Sequence, residues 1–231
     1  MTIFQILFVF TLSLGAHAAI SISDLHGELK QTHTNPLEYK VSKVYIFNNV
    51  DNRDGRVCSA YTPSECKSYS QSSSTNKNSN KHFKLNTEHT WPQSKGAKHF
   101  PAKGDLHHLY AASKESNSRR ANFPFCYVYE TYWEKQGSKQ GFNTDLQDCF
   151  EPLDSHKGNV ARAMFYFSVR YNKPLSVSQE KLFRSWNKLD PVDENEMIRN
   201  ERIERIQGNI NPFIKSEVLI DNIESFQFDR Y

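Results

Sequence analysis

Apolar positions recur along this chain in different rhythms, and each rhythm predicts a different element. The first stretch is predominantly apolar from Ile3 to Leu14, followed by Gly15 and the triplet Ala16-His17-Ala18. A run that short, ending in an A-x-A pattern, predicts a secretory signal over residues 1–18 rather than a membrane span. Residues 19–231 are then expected to form one domain. Helical spacing follows at Ile22, Leu25 and Leu29. It returns at Val160, Met164 and Phe167, and at Leu182, Phe183 and Trp186, the latter group opening on a Ser176 cap. A last helix is predicted across 190–209, with Met197, Ile198, Ile203 and Ile206 buried and Gly208 as its stop. Between these lie strand-like runs: KVYIFNNV at 43–50, FKLNTEHTW at 83–91 and CYVYETYWE at 126–134. The segment from Asp105 to Arg120 reads as a helix, with Leu106, Leu109 and Tyr110 on one face. Asp51 to Gly55 is turn chemistry, and the polar tract 68–82 predicts an exposed flexible loop. The sum is an α+β layout, with a small sheet across roughly 43–135 and helices on either side.

Composition narrows the class. A mean hydropathy of −0.71 and 37% hydrophobic residues give a polar surface. A net charge of +3 does not by itself point to nucleic acid, although a basic groove within a mixed surface is compatible with it. Four cysteines in an exported chain predict two disulfides, and proximity favours Cys58–Cys66 and Cys126–Cys149 among the three pairings. No C-x2-C pair supports a zinc site built on the same four thiols. Trp133, Trp186 and the Phe165-Tyr166-Phe167 run are read as core rather than as base-stacking platforms. His82, His99 and His156 stand in no partnered context and are assigned no role.

Chemistry concentrates in the middle of the chain. In TEHTWPQS, Glu88 stands beside His89. A carboxylate oxygen is a hard ligand for Mg2+, Mn2+ or Ca2+, and an imidazole kept off the ion can take a proton near neutral pH. That division suits phosphodiester hydrolysis, but the dipeptide alone is equally a surface glutamate beside a structural histidine. Further on, GDLHHLYAASKESNSRRANFPF supplies Asp105, His107, His108, Asn117, Arg119 and Arg120. Asn117 offers a neutral amide oxygen, and the arginines suit bidentate phosphate contact. Periodicity does not place Asn117 on one ladder with Asp105 and His108, so a solvated helix end stays open.

Taken in order, EHTWPQS, the 104–125 segment, NVARAMFYFSVRY and DPVDENEMIRNERIERIQGNINPFI resemble the endonuclease I family of exported bacterial nucleases. The resemblance runs from about residue 40 to 215. It implies a ββα-metal (His-Me finger) core, in which a hairpin and a helix grip one divalent ion, with a small sheet and several surrounding helices. It also implies sequence-nonspecific cleavage of DNA, and often of RNA, to 5′-phosphate products, in the periplasm or outside the cell; a monomer is the default, and no further hydrophobic stretch offers a membrane anchor. By position, Glu88 and Asn117 become metal ligands, with Mg2+ first and Mn2+ or Ca2+ as alternatives, and His89 becomes the general base. Asp105 and His107 match the family's D-x-H and are expected to orient the metal ligands from behind. Arg120 and Asn122 match later positions of its E-x-N-x-x-R-x-N element, where a phosphate or a structural role is open to each; Arg120 is taken as catalytic and Asn122 as support. Lys95, Lys98 and Arg119 are expected to bind the nucleic-acid backbone. Two features depart from the family. An insertion that carries an arginine in some members is missing, and Ile210 stands where many have arginine. The readings to beat are an exported nucleic-acid-binding module with a structural or inactive metal site, and a metal-dependent phosphatase of small esters.

Overall fold

The computed structural model describes residues 21–69 and 84–228. The signal predicted at 1–18, most of the polar tract at 68–82 and His82 lie outside those residues. The described chain is α+β, with helices carrying most of the core and three small antiparallel sheets. α1 (Ile22–Thr32) opens on Ser21, whose side chain accepts from the Asp24 N–H, and it buries Leu25 and Leu29 as its spacing predicts.

KVYIFNNV is not a strand. α2 (Tyr39–Tyr45) runs directly into one wide helical turn over Ile46–Val50. Its buried positions are Ser42, Ile46 and Val50, a spacing of four. The inward place of Ser42 hid that period, while Val44 and Tyr45 supplied a strand-like appearance from the solvent side. A first sheet then forms from β1 (Asn52–Arg53), β2 (Arg56–Cys58) and β3 (Cys66–Ser68), closed by the Cys58–Cys66 disulfide.

The second sheet is a pair, β4 (Leu85–His89) against β5 (Leu109–Ser113), in antiparallel register with Glu88 opposite Tyr110 and His89 opposite Leu109. Here the single predicted helix over 105–120 is replaced by three elements. A tight turn over Leu106–His108 is capped by Asp105, β5 follows, and α3 (Lys114–Arg120) starts on a Ser113 cap. Every residue of β5 is buried, because it runs between two apolar clusters. A short run buried on both sides has no alternation to betray it as a strand. Leu109 and Ala111 face the cluster of Leu37, Ile46, Val50, Val57 and Ile203. Ala112 faces the larger cluster around α4.

A third sheet joins β6 (Glu130–Lys135), β7 (Ser138–Phe142) and β8 (Asp148–Glu151). The Cys126–Cys149 disulfide ties β8 to the segment before β6, so both pairs are those favoured by proximity. It closes a loop of 23 residues. A Cys126→Ser, Cys149→Ser variant is expected to lose about 3 kcal/mol of unfolding free energy, read by urea titration. A loss under about 1 kcal/mol would mean that the bridge does not constrain the unfolded chain.

α4 (Asp154–Arg170) is the central helix, buried on nearly every side, and α5 (Val177–Leu189) packs along it with Phe183 and Trp186 inward. The aromatics read as core are buried, with Trp133 only half so. α6 (Glu194–Gln207) ends on Gly208 as predicted, at φ 90°, where a Cβ would stand 2.2 Å from Thr34 Oγ1. Its inward face differs from the prediction. Met197 and Ile198 are exposed, and Glu196, Arg199, Asn200 and Gln207 are buried beside Ile203. They serve a polar network. Arg162 of α4 pairs with Glu196, and Arg199 binds Asp51 and the carbonyls of Leu106 and Leu109. α7 (Pro212–Lys215) and α8 (Val218–Asp221) complete the chain, and no helix among the described residues is long and apolar enough to cross a membrane.

Candidate active site at the end of the buried hairpin

The last residues of β4 bring the predicted chemistry together. Alternation along the strand sends neighbouring side chains to different sides. Glu88 turns toward Tyr61, whose hydroxyl donates to Oε1 at 3.0 Å. The Arg120 guanidinium Nε stands 3.3 Å from the same oxygen. Glu88 is 2% exposed. Burial pushes its carboxyl above the ordinary carboxylate value, against the pull of Arg120, Tyr61 and the His89 backbone N–H. Asn117, on α3, reaches the strand edge, its amide donating to the Thr87 carbonyl at 3.3 Å. With the nitrogen so engaged, the amide oxygen is the end left to act as an acceptor or ligand.

His89 occupies the other side. Its Nε2 lies 3.0 Å from the Lys103 carbonyl, which can only accept, so Nε2 carries the proton. Nδ1 therefore holds the lone pair, with the Gln93 amide 3.4 Å away. The ring packs 5.0 Å from Tyr39 and 5.4 Å from His108. Burial first, then His108 and the Lys103 ammonium, pull the imidazole down to about 3, with the Lys103 carbonyl opposing. It is neutral, and Nδ1 accepts from the Gln93 amide.

Arg120 does not face solvent as a phosphate contact would. It is 1% exposed and donates to the Phe123 carbonyl at 2.6 Å and the Thr90 carbonyl at 2.9 Å. Its guanidinium also lies 4.1 Å from the Phe125 ring. It clamps the chain after β4 and holds Glu88. Asp105 and His107 are likewise turned into the core. Asp105 accepts from the hydroxyls of Tyr166 and Tyr171, the Gln207 amide and the His107 N–H. Burial alone would raise its carboxyl, but the surrounding histidines and Gln207 hold it below the usual carboxylate range. His107 Nε2 donates to the Asn209 carbonyl. These bonds do not reach Glu88, His89 or Asn117. The link to the site runs instead through the preceding turn, where His108 holds the Ala102 carbonyl and His89 the next one. Asn122 is exposed and donates to Ser94. Lys95 and Lys98 are exposed on the loop after β4, and Arg119 stands over the Trp133 ring at 5.9 Å. A cavity of about 530 Å3 lies elsewhere, lined by Arg53, Arg56, His156 and Arg202 among others, and includes none of Glu88, His89 and Asn117.

The family model for endonuclease I matches residues 22–217. The chain belongs to the endonuclease I family. An extracellular ribonuclease of Bacillus subtilis is 32% identical over 232 aligned positions, covering 91% of this chain and 70% of its own. An extracellular deoxyribonuclease of Aeromonas hydrophila is 37% identical over 119 residues, 49% of this chain and 50% of that protein. A periplasmic deoxyribonuclease of the same organism is 35% identical over 128 residues, 53% and 52% of the two chains. The chain thus spans about half the length of the two Aeromonas relatives.

For this endonuclease I chain, two supporting side chains went unread in the sequence, Tyr61 behind Glu88 and Tyr39 beside His89. Tyr61 lies between two paired cysteines, and that enclosure was the one available signal. Buried imidazoles also give this family member a predictable acid response. His89 and His156 are depressed to about 3 and His107 to about 4, burial being the leading cause, from an ordinary 6.5. Between those values the unfolded chain binds more protons than the folded one. Stability is therefore full above about pH 6.5 and falls with acid by up to ~1.4 kcal/mol per pH unit per imidazole. The thermal midpoint, followed by circular dichroism, is expected to drop steeply between pH 6.5 and 4. A flat profile would mean that these rings titrate as freely folded as unfolded.

Proposed function

We propose that this protein is an exported endonuclease that hydrolyses the phosphodiester bonds of DNA and RNA without sequence preference, leaving 5′-phosphates. β4, β5 and α3 form its ββα-metal core. The observation that carries this reading is a neutral imidazole, tautomerically fixed with Nδ1 as acceptor, next in sequence to a buried carboxylate at the end of a strand against which Asn117 is docked.

The donor set fits a hard divalent cation. No group of three or more His, Cys, Asp and Glu side chains among the described residues is arranged to share an ion. A Mg2+ site needs only one or two protein oxygens, the rest coming from water and substrate phosphate. Glu88 and Asn117 supply those two, and Glu88 is a buried carboxylate whose raised pKa a cation would relieve. Mn2+ and Ca2+ use the same ligand chemistry. When bound, the ion neutralises charge that develops on the phosphate and the departing 3′ oxygen.

The chain's own residues do the rest. Lys103 holds the His89 ring by its carbonyl, so that Nδ1 can take a proton from an attacking water. Gln93, whose amide donates to Nδ1, gives up that bond to the attacking water. Tyr61 and Arg120 fix Oε1 of Glu88, which leaves Oε2 for the ion. Lys95, Lys98 and Arg119 attract the backbone through charge, a contact blind to base sequence. Export follows the resemblance and suits two disulfides.

A gel tests this. Supercoiled plasmid with Mg2+ should be nicked and then fragmented, and EDTA should stop it. An intact plasmid alongside rapid hydrolysis of a small chromogenic phosphoester would replace the reading by a phosphatase. Binding without cleavage under any divalent ion would replace it by a binding module.

A further inference from the structure

Beside His89 stands a cluster to which hydrolysis gives no task. Tyr39, the first residue of α2, is half-buried with its ring 5.0 Å from the His89 imidazole. Lys43 lies one helical turn on, its Nζ 5.7 Å from the centre of that ring. Lys103 comes from the turn that holds His89, and its Nζ is 5.3 Å from the same ring. Two ammonium groups from separate elements thus lie over one aromatic ring. The ion-paired lysines of the described chain are Lys135, Lys157 and Lys188. Lys43 and Lys103 are not among them.

The cluster is held rigidly. Ser42 donates to the buried Gly104 carbonyl at 2.6 Å, locking α2 to the turn that carries Lys103. Gly104 is required there, since a Cβ would stand 1.9 Å from the Leu37 carbonyl oxygen. Burial pushes the Tyr39 phenol above its ordinary value, with a Thr87 contact opposing and the Glu88 charge adding, so the hydroxyl stays a donor. Two cations that form no ion pair among the described residues, held beside a hydroxyl donor, are a receptor for an oxyanion.

We propose that Tyr39, Lys43 and Lys103 bind a backbone phosphate adjacent to the scissile one, setting the strand so that the next phosphodiester lies at His89. The inference rests on the endonuclease reading and names where the substrate is held. Tyr39 is a positioning residue, and the two lysines provide the charge.

Binding in EDTA isolates this from catalysis. A fluorescein-labelled oligonucleotide is titrated with protein at several salt concentrations and followed by anisotropy. Lys43→Gln with Lys103→Gln should weaken binding roughly tenfold at low salt. It should also flatten the slope of log affinity against log salt by about 1–2. The Lys103 carbonyl that holds His89 is backbone and survives the change. With Mg2+, Lys43→Gln alone, which touches nothing that holds His89, should raise KM about threefold while kcat stays within about twofold. Tyr39→Phe should weaken binding less and leave the salt slope unchanged, because a neutral donor releases no counterion. Wild-type affinity and slope in the double variant, with the wild type cleaving plasmid, would overturn the phosphate site alone. A wild type that neither binds nor cleaves would overturn the endonuclease reading with it.

Discussion

His89→Ala is expected to cleave plasmid DNA ~10²–10⁴-fold more slowly than wild type while keeping its metal-free grip on the same DNA. The size follows from losing one general base. The separation of binding from cleavage follows from geometry: the imidazole is tied to a backbone carbonyl on one side and to the Gln93 amide on the other. Nothing in that arrangement requires the ring to hold the strand. The pH profile adds a second reading. An imidazole depressed to about 3 is already neutral at every pH where the protein is stable. The profile of kcat/KM should therefore show no inflection near 6.5, the value of an unperturbed histidine. Single-turnover cleavage by His89→Ala at the wild-type rate would remove the ring from the mechanism.

Much of this site was legible because its reactive groups are side chains in short runs. Glu88 and His89 are adjacent in sequence, and the fold docks Asn117 against the same strand through its contact with the Thr87 carbonyl. What supports them was not legible. The group that fixes the His89 tautomer is the Lys103 carbonyl, and a backbone oxygen leaves no mark in residue identity. Tyr61 and Tyr39 come from elements whose docking no local pattern reveals. Asp105 shows the opposite error. Its match to the family's D-x-H implied support behind the metal ligands, and the structure shows four donors from three parts of the chain binding it inside the core. The misread elements share one cause: α2 and α6 turn polar residues inward, and β5 has no exposed side. Hydrophobic periodicity reports burial only where one face meets water.

Arg120 is open in sequence to a phosphate or a structural role, and its replacement is the sharpest test between them. As a phosphate contact it would be exposed, and Arg120→Ala would cost activity alone. Buried as it is, the change removes donors to Thr90 and Phe123, empties the space over Phe125, and leaves Glu88 with no cation beside it. Removing one partner of a buried ion pair costs about 3–5 kcal/mol, because the remaining charge stays buried. Arg120→Ala should therefore unfold at markedly lower urea, and its Glu88 carboxyl should rise further, weakening it as a ligand. Adding Glu88→Gln to an Arg120→Met background should recover part of that stability, since no charge is then left unpaired. The same double variant should stay inactive, as it lacks the carboxylate. An Arg120→Ala protein with the wild-type urea midpoint and no cleavage would return the guanidinium to the substrate.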